Sequence, residues 1–261
     1  MSSNKTDQQL FEEIIRAGRR NKVSRRDFLQ FALASGMGLA AGSALWTSEV
    51  RAETPKKGGT FRVGVHDGNT SDTLDPGTFQ SVGQIQLAHT HRCYLTEITA
   101  DNKLGPDLAD SWEANETATQ WVFKLNEKAT FHNDNKVTAK DVIASINHHR
   151  GEKTKSAAKA LVETVEDIQA DGDHVVIFKL SQGVADFPWL MTDYHLVICP
   201  ANEDGSIDWQ SGIGAGPYKI VNHEPGVSTE MVRHEGWHRR RRLLMPSTSP
   251  TSMIRMRVRP R

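Results

Sequence analysis

Several groupings in the sequence carry side chains capable of chemistry. His89-x-His91-x-Cys93 sets three metal-ligating residues at alternate positions. On a strand they would face one way, but on a helix they diverge by about 200° per two residues. A helix is expected there, from Gln84 to Tyr94, so a shared metal is not. His148 and His149 are adjacent and fall near a helix end, where cationic side chains are favourable anyway. Gly212-Ile213-Gly214-Ala215-Gly216 resembles a phosphate-cradling loop, yet Pro217 to Val221 reads as a strand and a phosphate loop needs a helix N-terminus at that point. Cys93 and Cys199 are the only cysteines. An oxidising compartment would permit a bridge between them, and two unpaired, partly buried thiols are the favoured reading. No nucleophile, base and orienting group assemble from local spacing, so neither an enzyme nor a cofactor is expected.

The elements that would position these residues read as α/β fabric. Thr60 to Val65 alternates after Gly58-Gly59, with Phe61, Val63 and Val65 expected inward. Trp121-Val122-Phe123-Lys124-Leu125 alternates likewise, with Trp121, Phe123 and Leu125 on one face and Lys124 in water. Ala129 to His132 continues as a short extended piece. Thr138-Ala139-Lys140-Asp141 has the spacing of a helix start, and Ala139, Val142, Ile143 and Ile146 then repeat at helical intervals. Val165 to Ala170 and Val175 to Leu180 flank Asp171-Gly172-Asp173, a strong hairpin signal. Leu196 to Ile198 is expected as a short buried strand.

Pro106-Asp107-Leu108-Ala109-Asp110-Ser111-Trp112, Trp121 to Leu125 and Phe131 to Val142 fall in an order that resembles the extracellular solute-binding proteins of peptide-type ABC transporters, a family that includes nickel- and haem-binding members. Two positions depart from the family pattern: Asn126 stands where Arg is usual, and Asn133-Asp134-Asn135 replaces an Asp-Gly turn. Asn and Asp tolerate left-handed geometry, so the turn is still expected. The resemblance implies that Leu74-Asp75-Pro76 ends a first crossover and that the following loop lines a ligand cleft. By position this implicates Phe79, Gln80, Ser81, Val82 and Gln84, an aromatic wall with amide and hydroxyl groups suited to peptide backbone. Asp193, Tyr194 and His195 are secondary cleft candidates. Gly212 to Gly216 resembles the family's turn into a strand.

The chain opens with Ser24-Arg25-Arg26-Asp27-Phe28-Leu29, which resembles a twin-arginine export signal, followed by a weakly apolar, glycine-rich run from Phe31 to Trp46. That run is short and glycine-rich for a membrane span, and Val50-Arg51-Ala52 offers a cleavage site after Ala52, so a cleaved signal is expected, with a retained membrane anchor as the alternative. Residues 53 to 238 carry 16 Lys and Arg against 27 Asp and Glu, a balance of −11 that argues against nucleic acid as a partner. From Arg239 to Arg261 there are 8 Arg and no acidic residue, with Pro246, Pro250 and Pro260 interspersed. This tail departs in composition from all that precedes it, as a frameshifted or truncated product would.

The fold expected is α/β, a two-lobed, type II periplasmic-binding-protein arrangement in incomplete form: a signal peptide over 1–52, part of a first lobe over about 55–92 and 199–238, a small inserted domain over about 93–198, and an aberrant tail over 239–261. The function implied by the resemblance is periplasmic capture of a peptide or similar small solute for an ABC permease, with delivery to the periplasm by the twin-arginine translocase. The alternative is an exported metal- or haem-binding protein or redox enzyme, for which His89, His91 and Cys93 would be the centre.

Overall fold

The computed structural model describes Gln30, residues 59–239 and residues 252–258. The expected export signal (Ser24, Arg25, Arg26, Phe28, Leu29) and cleavage site (Ala52) lie outside the described residues. In chain order the elements are β1 (Gly59–Val65), α1 (Val82–His91), β2 (Thr96–Ile98), β3 (Leu104–Pro106), β4 (Ala109–Ala114), β5 (Gln120–Leu125), α2 (Ala139–His148), β6 (Val165–Ala170), β7 (Val175–Leu180), α3 (Phe187–Leu190), β8 (Tyr218–Glu224), β9 (Ser228–Arg233) and β10 (Ser252–Val258). Single 3-10 turns form at Pro76–Thr78 and Lys159–Val162. Among the described residues no helix is long and apolar enough to cross a membrane.

One four-stranded sheet runs in the order β4-β5-β7-β6, antiparallel throughout. Alternation dictates its inner face: Trp121, Phe123 and Leu125 are buried and Lys124 is exposed, while Val176, Phe178 and Leu180 of β7 point the same way. Gly172 supplies the positive φ of 69° that the β6–β7 turn needs. Helix α2 covers the buried face with Val142 and Ile146. Its start is fixed as the sequence predicts: the Thr138 amide and hydroxyl both donate to Asp141 Oδ2 at 2.8 Å. Asp141 Oδ1 also accepts from the Ala201 amide at 2.8 Å, which ties the helix to a later crossover. The Asn133-Asp134-Asn135 turn is retained, with Asp134 at φ 66°.

The second four-stranded sheet has the order β1-β10-β9-β8. β1 and β10 are parallel, and β10 pairs antiparallel with β9. Two expectations change here. Phe61 is 43% exposed and Val63 only half-buried, so Val65 alone is buried among the three residues expected inward. β1 is an edge strand, and alternation gives a side chain a face but not a cover. Beyond the expected bound at 238, Ser252–Val258 of the Arg-rich tail pairs as an interior strand of this sheet, with Met256 buried and Arg255 and Arg257 exposed. Leu196 to Ile198, expected as a strand, is fully buried but makes only an isolated bridge, Ile198 to Cys93.

Candidate ligand-facing loop

The stretch from Thr73 to Val82 is gripped along its whole length. Arg92 is 1% exposed, and its Nη2 donates to the Leu74 carbonyl at 2.9 Å, while Nη1 reaches Cys199 Sγ and Nε donates to His91 Nε2 at 3.1 Å. Asp75 caps the Pro76–Thr78 turn by accepting from the Gly77 amide at 2.8 Å, and it receives His148 Nε2 at 2.7 Å. Burial alone would raise the Asp75 carboxyl, but the hydrogen bonds from His148 and Gly77 outweigh it and hold it below its ordinary value. The Ala157 amide donates to the Gly77 carbonyl at 3.0 Å. His195 Nε2 donates to the Phe79 carbonyl at 2.8 Å, and Gln84 Nε2 to the Thr73 carbonyl at 3.2 Å.

Helix α1 begins two residues earlier than expected because Ser81 and Gln84 form a capping box. The Gln84 amide donates to Ser81 Oγ at 3.2 Å, and Gln84 Oε1 accepts from the Gln80 and Ser81 amides at 3.1 and 3.2 Å. Asp67, which sequence reasoning passed over, accepts from the Val82 amide at 3.1 Å, adding a carboxylate at the positive end of the helix.

These contacts sort the expected ligand-binding residues. Phe79, expected as an aromatic wall, is fully buried among Ala88, Tyr94, Val197 and Cys199. Ser81 and Gln84 are buried, and their polar atoms are spent on the capping box and on Asp72 and Thr73. Gln80 is exposed and Val82 half-buried. Asp193 Oδ1 binds its own neighbour His195, at 2.9 Å to the amide and 2.7 Å to Nδ1. Tyr194 is half-buried with its ring 4.0 Å, centroid to centroid, from that of His195. The two sets, far apart in sequence, are thus joined through His195. Of the residues expected to line a cleft, Gln80 is the exposed one, and Val82 and Tyr194 are each half-buried.

His89, His91 and Cys93 do not converge on a common point. Tyr94 Oη donates to His89 Nδ1 at 3.0 Å, His91 Nδ1 donates to the Leu87 carbonyl at 2.9 Å, and Cys93 Sγ donates to the Ala215 carbonyl at 3.2 Å. Burial pushes the His91 imidazole well below its ordinary range and the Cys93 thiol well above its own. Both cysteines are free and buried. Among the described residues no group of three or more His, Cys, Asp or Glu side chains is arranged to hold a metal. The glycine run is a structural turn, as expected: the Gly216 amide donates to the His91 carbonyl at 3.0 Å, and β8 follows.

A separate recess of about 240 Å³ opens beyond the end of α1, lined in part by Tyr94, Glu97, Asp107, Thr192 and Trp237. Arg239 reaches Glu97 at 2.7 Å and Asp107 at 3.3 Å. Asp107 is held up at about 6 by burial, against the Tyr94 amide and Arg239, which pull it down.

Residues 103–246 match the family described as bacterial extracellular solute-binding proteins, family 5 Middle. The "Probable peptide ABC transporter periplasmic-binding protein y4tO" of Sinorhizobium fredii is 25% identical over 222 residues, 82% of this chain and 39% of that protein. The "Probable D,D-dipeptide-binding periplasmic protein DdpA" of Escherichia coli is 31% identical over 174 residues, 61% of this chain and 33% of its own length. Among solved structures, the periplasmic binding protein AgaA of A. tumefaciens R10 in complex with agropinic acid superposes with a TM-score of 0.67 at 21% identity, covering 77% of this chain and 40% of that one. The chain therefore spans about two fifths of the length of such relatives. The expected fold class holds: the described residues form part of a type II periplasmic-binding-protein architecture. With more than half of its residues matched, the chain belongs to the bacterial extracellular solute-binding proteins, family 5.

Proposed function

We propose that this chain serves solute capture for an ABC importer, taking a peptide or similar small solute in the periplasm for an inner-membrane permease. Family membership over residues 103–246 is the observation that carries this reading. The Thr73–Val82 loop supports it, because a loop fixed at both ends offers its exposed groups without the ordering cost of a free one. Gln80 supplies a donor and an acceptor suited to a peptide unit, and Val82 and Tyr194 supply apolar contact. Asp193 acts by orienting His195. Names among the relatives refer to peptides, and one solved relative holds agropinic acid, so small polar solutes with carboxylates are the class to screen first.

Calorimetry on the purified chain tests the reading, with trialanine, agropinic acid, nickel–histidine and haem as separate titrants. Saturable heat with trialanine or agropinic acid supports it. Heat confined to nickel–histidine or haem moves the chain to the metal-binding alternative, and no saturable binding of any titrant overturns it. The proposed export route rests on Arg25 and Arg26, and replacing both with Lys is expected to leave the chain in the cytoplasm.

A further inference from the structure

The Phe79–Val82 segment is held by a histidine whose two ring nitrogens both face acceptors. His195 Nδ1 lies 2.7 Å from Asp193 Oδ1, and Nε2 lies 2.8 Å from the Phe79 carbonyl oxygen. Neither acceptor carries a hydrogen when Asp193 is ionised, so both contacts are hydrogen bonds only when the imidazole bears both protons. The ring is 6% exposed, which leaves water little access to replace a lost partner. His148 and Asp75 make a comparable pair at the other end of the Pro76–Thr78 turn, at 2.7 Å.

We propose that His195 is a positioning residue for solute binding, and that its doubly protonated form holds Phe79–Val82 in binding geometry and releases it when the ring loses a proton. The proposal rests on the reading of Gln80 and Val82 as ligand-facing. In the neutral ring one nitrogen has no hydrogen, so either the Asp193 or the Phe79 contact fails. Asp193 keeps its charge at the Nδ1 side, so the Phe79 contact is the one given up.

Among the described residues, the titratable groups around this latch include Tyr194, whose ring lies 4.0 Å from that of His195, centroid to centroid. His149 follows the end of α2, with its ring centroid 5.3 Å from that of His148. Burial, with the nearby His148 and His195, pushes its pKa down to about 3, so it stays neutral and does not compete for the proton. Asp75 and His148 stand at the far end of the loop, and His89 of α1 faces Asp193. Burial works to raise the Asp193 carboxyl, but the His195 hydrogen bonds outweigh it and keep it below its ordinary value, so it carries its charge at neutral pH.

Hydrogen-exchange mass spectrometry on the full chain tests the latch at about pH 5.5 and about pH 8.5, with rates corrected for intrinsic exchange. In the wild type, protection of the segment covering Phe79–Gln84 is expected to fall about five-fold at the higher pH, the ratio that one lost hydrogen bond gives. His195→Gln is expected to hold that segment at the high-pH level at both values, while Trp121–Leu125 serves as the folding control. If His195→Gln exchanges fast in the control too, Asp193→Asn replaces it: without the carboxylate to retain the proton, release shifts to lower pH. Wild-type protection that is the same at both pH values, or a pH response unaltered by a folded variant, overturns the proposal. Trialanine calorimetry at the same two pH values separates the two readings. A latch that responds in a chain that never binds trialanine removes the ligand-facing reading alone, and equal affinities at both values remove the positioning role.

Discussion

Gly216 lies so close to the end of α1 that its amide donates to the His91 carbonyl at 3.0 Å, and a Cβ on it would come 2.5 Å from the His91 carbonyl carbon. Backbone meets backbone here, with no flexible side chain able to give way. The contact seats β8 against the helix that carries the candidate loop. His132 and His234 complete the junction, each donating to the Gly216 carbonyl, at 3.1 and 3.3 Å. Gly216→Ala is expected to cost about 2–4 kcal/mol, as overpacking against rigid backbone does, measured by urea unfolding. A loss below about 0.5 kcal/mol would show that the junction opens easily.

Phe123 anchors the core of the β4-β5-β7-β6 sheet, fully buried with ring centroids 5.4 Å from Phe178 and 6.3 Å from Phe187. Phe123→Ala removes a large apolar side chain from a site walled by the rings of Trp112, Phe178 and Phe187. The expected cost is about 3–5 kcal/mol. Lys124→Ala, one residue on and exposed, is expected to change stability by less than about 0.5 kcal/mol.

Asp107 gives stability a particular pH dependence. Its folded pKa of about 6 stands above the ordinary 3.8, so between those values the folded chain holds a proton that the unfolded chain has lost. Its contribution is therefore fully present below about pH 4 and is lost as pH rises through about 6, by an amount on the order of 3 kcal/mol. Asp75 and Asp193 are shifted down instead, so their contributions are present above the ordinary carboxylate value and fall away below it. Asp107→Asn is expected to abolish the decline between about pH 4 and 6 while leaving the acid limb, and thermal melts across that range measure it.

Much of this was legible from residue patterns. Period-two alternation placed Trp121, Phe123 and Leu125 correctly, Thr138 and Asp141 marked the start of α2, and Asp171-Gly172 marked a hairpin. Family-like spacing pointed to the Thr73–Val82 loop as a candidate, but it carries no information on the orientation of the side chains there. Phe79 follows a turn and points inward, which no local pattern reports. Ser81-x-x-Gln84 was a capping box in plain view, and reading it as one would have placed the polar atoms of both residues at the start of α1. Phe61 and Val63 alternate as a buried strand would, but burial depends on what packs above them. Composition alone gave no sign of β10: Met253-Ile254-Arg255-Met256-Arg257-Val258 contains an alternating stretch set among eight arginines and a Pro/Ser tract. The contact of His195 with Phe79, which joins Asp193 to that loop, spans 116 residues and exists only in three dimensions.

β10 should matter to its sheet, since it pairs with β1 on one side and β9 on the other. A chain ending at His238 is expected to lose protection in β9 and to melt several degrees lower, because both neighbours are left with unpaired backbone groups. Met256→Asp, which buries a charge at a 5% exposed position, is expected to act in the same direction within the full-length chain. Unchanged exchange in Ser228–Arg233 for both variants would contradict the pairing.

Solute capture at the Gln80–Val82 edge is the central claim, and amide chemical-shift mapping of the isotope-labelled chain tests it most directly. Titration with trialanine, or with agropinic acid if that is the binder, is expected to move the Gln80, Ser81, Val82 and Tyr194 signals together along one saturation curve. Val82→Asp is expected to weaken that curve at least about ten-fold, since a carboxylate at a half-buried apolar contact must be desolvated when the solute closes over it. Shifts that saturate at Glu97, Asp107 and Trp237 while Gln80 to Val82 stay still would place capture in the neighbouring recess and contradict the account.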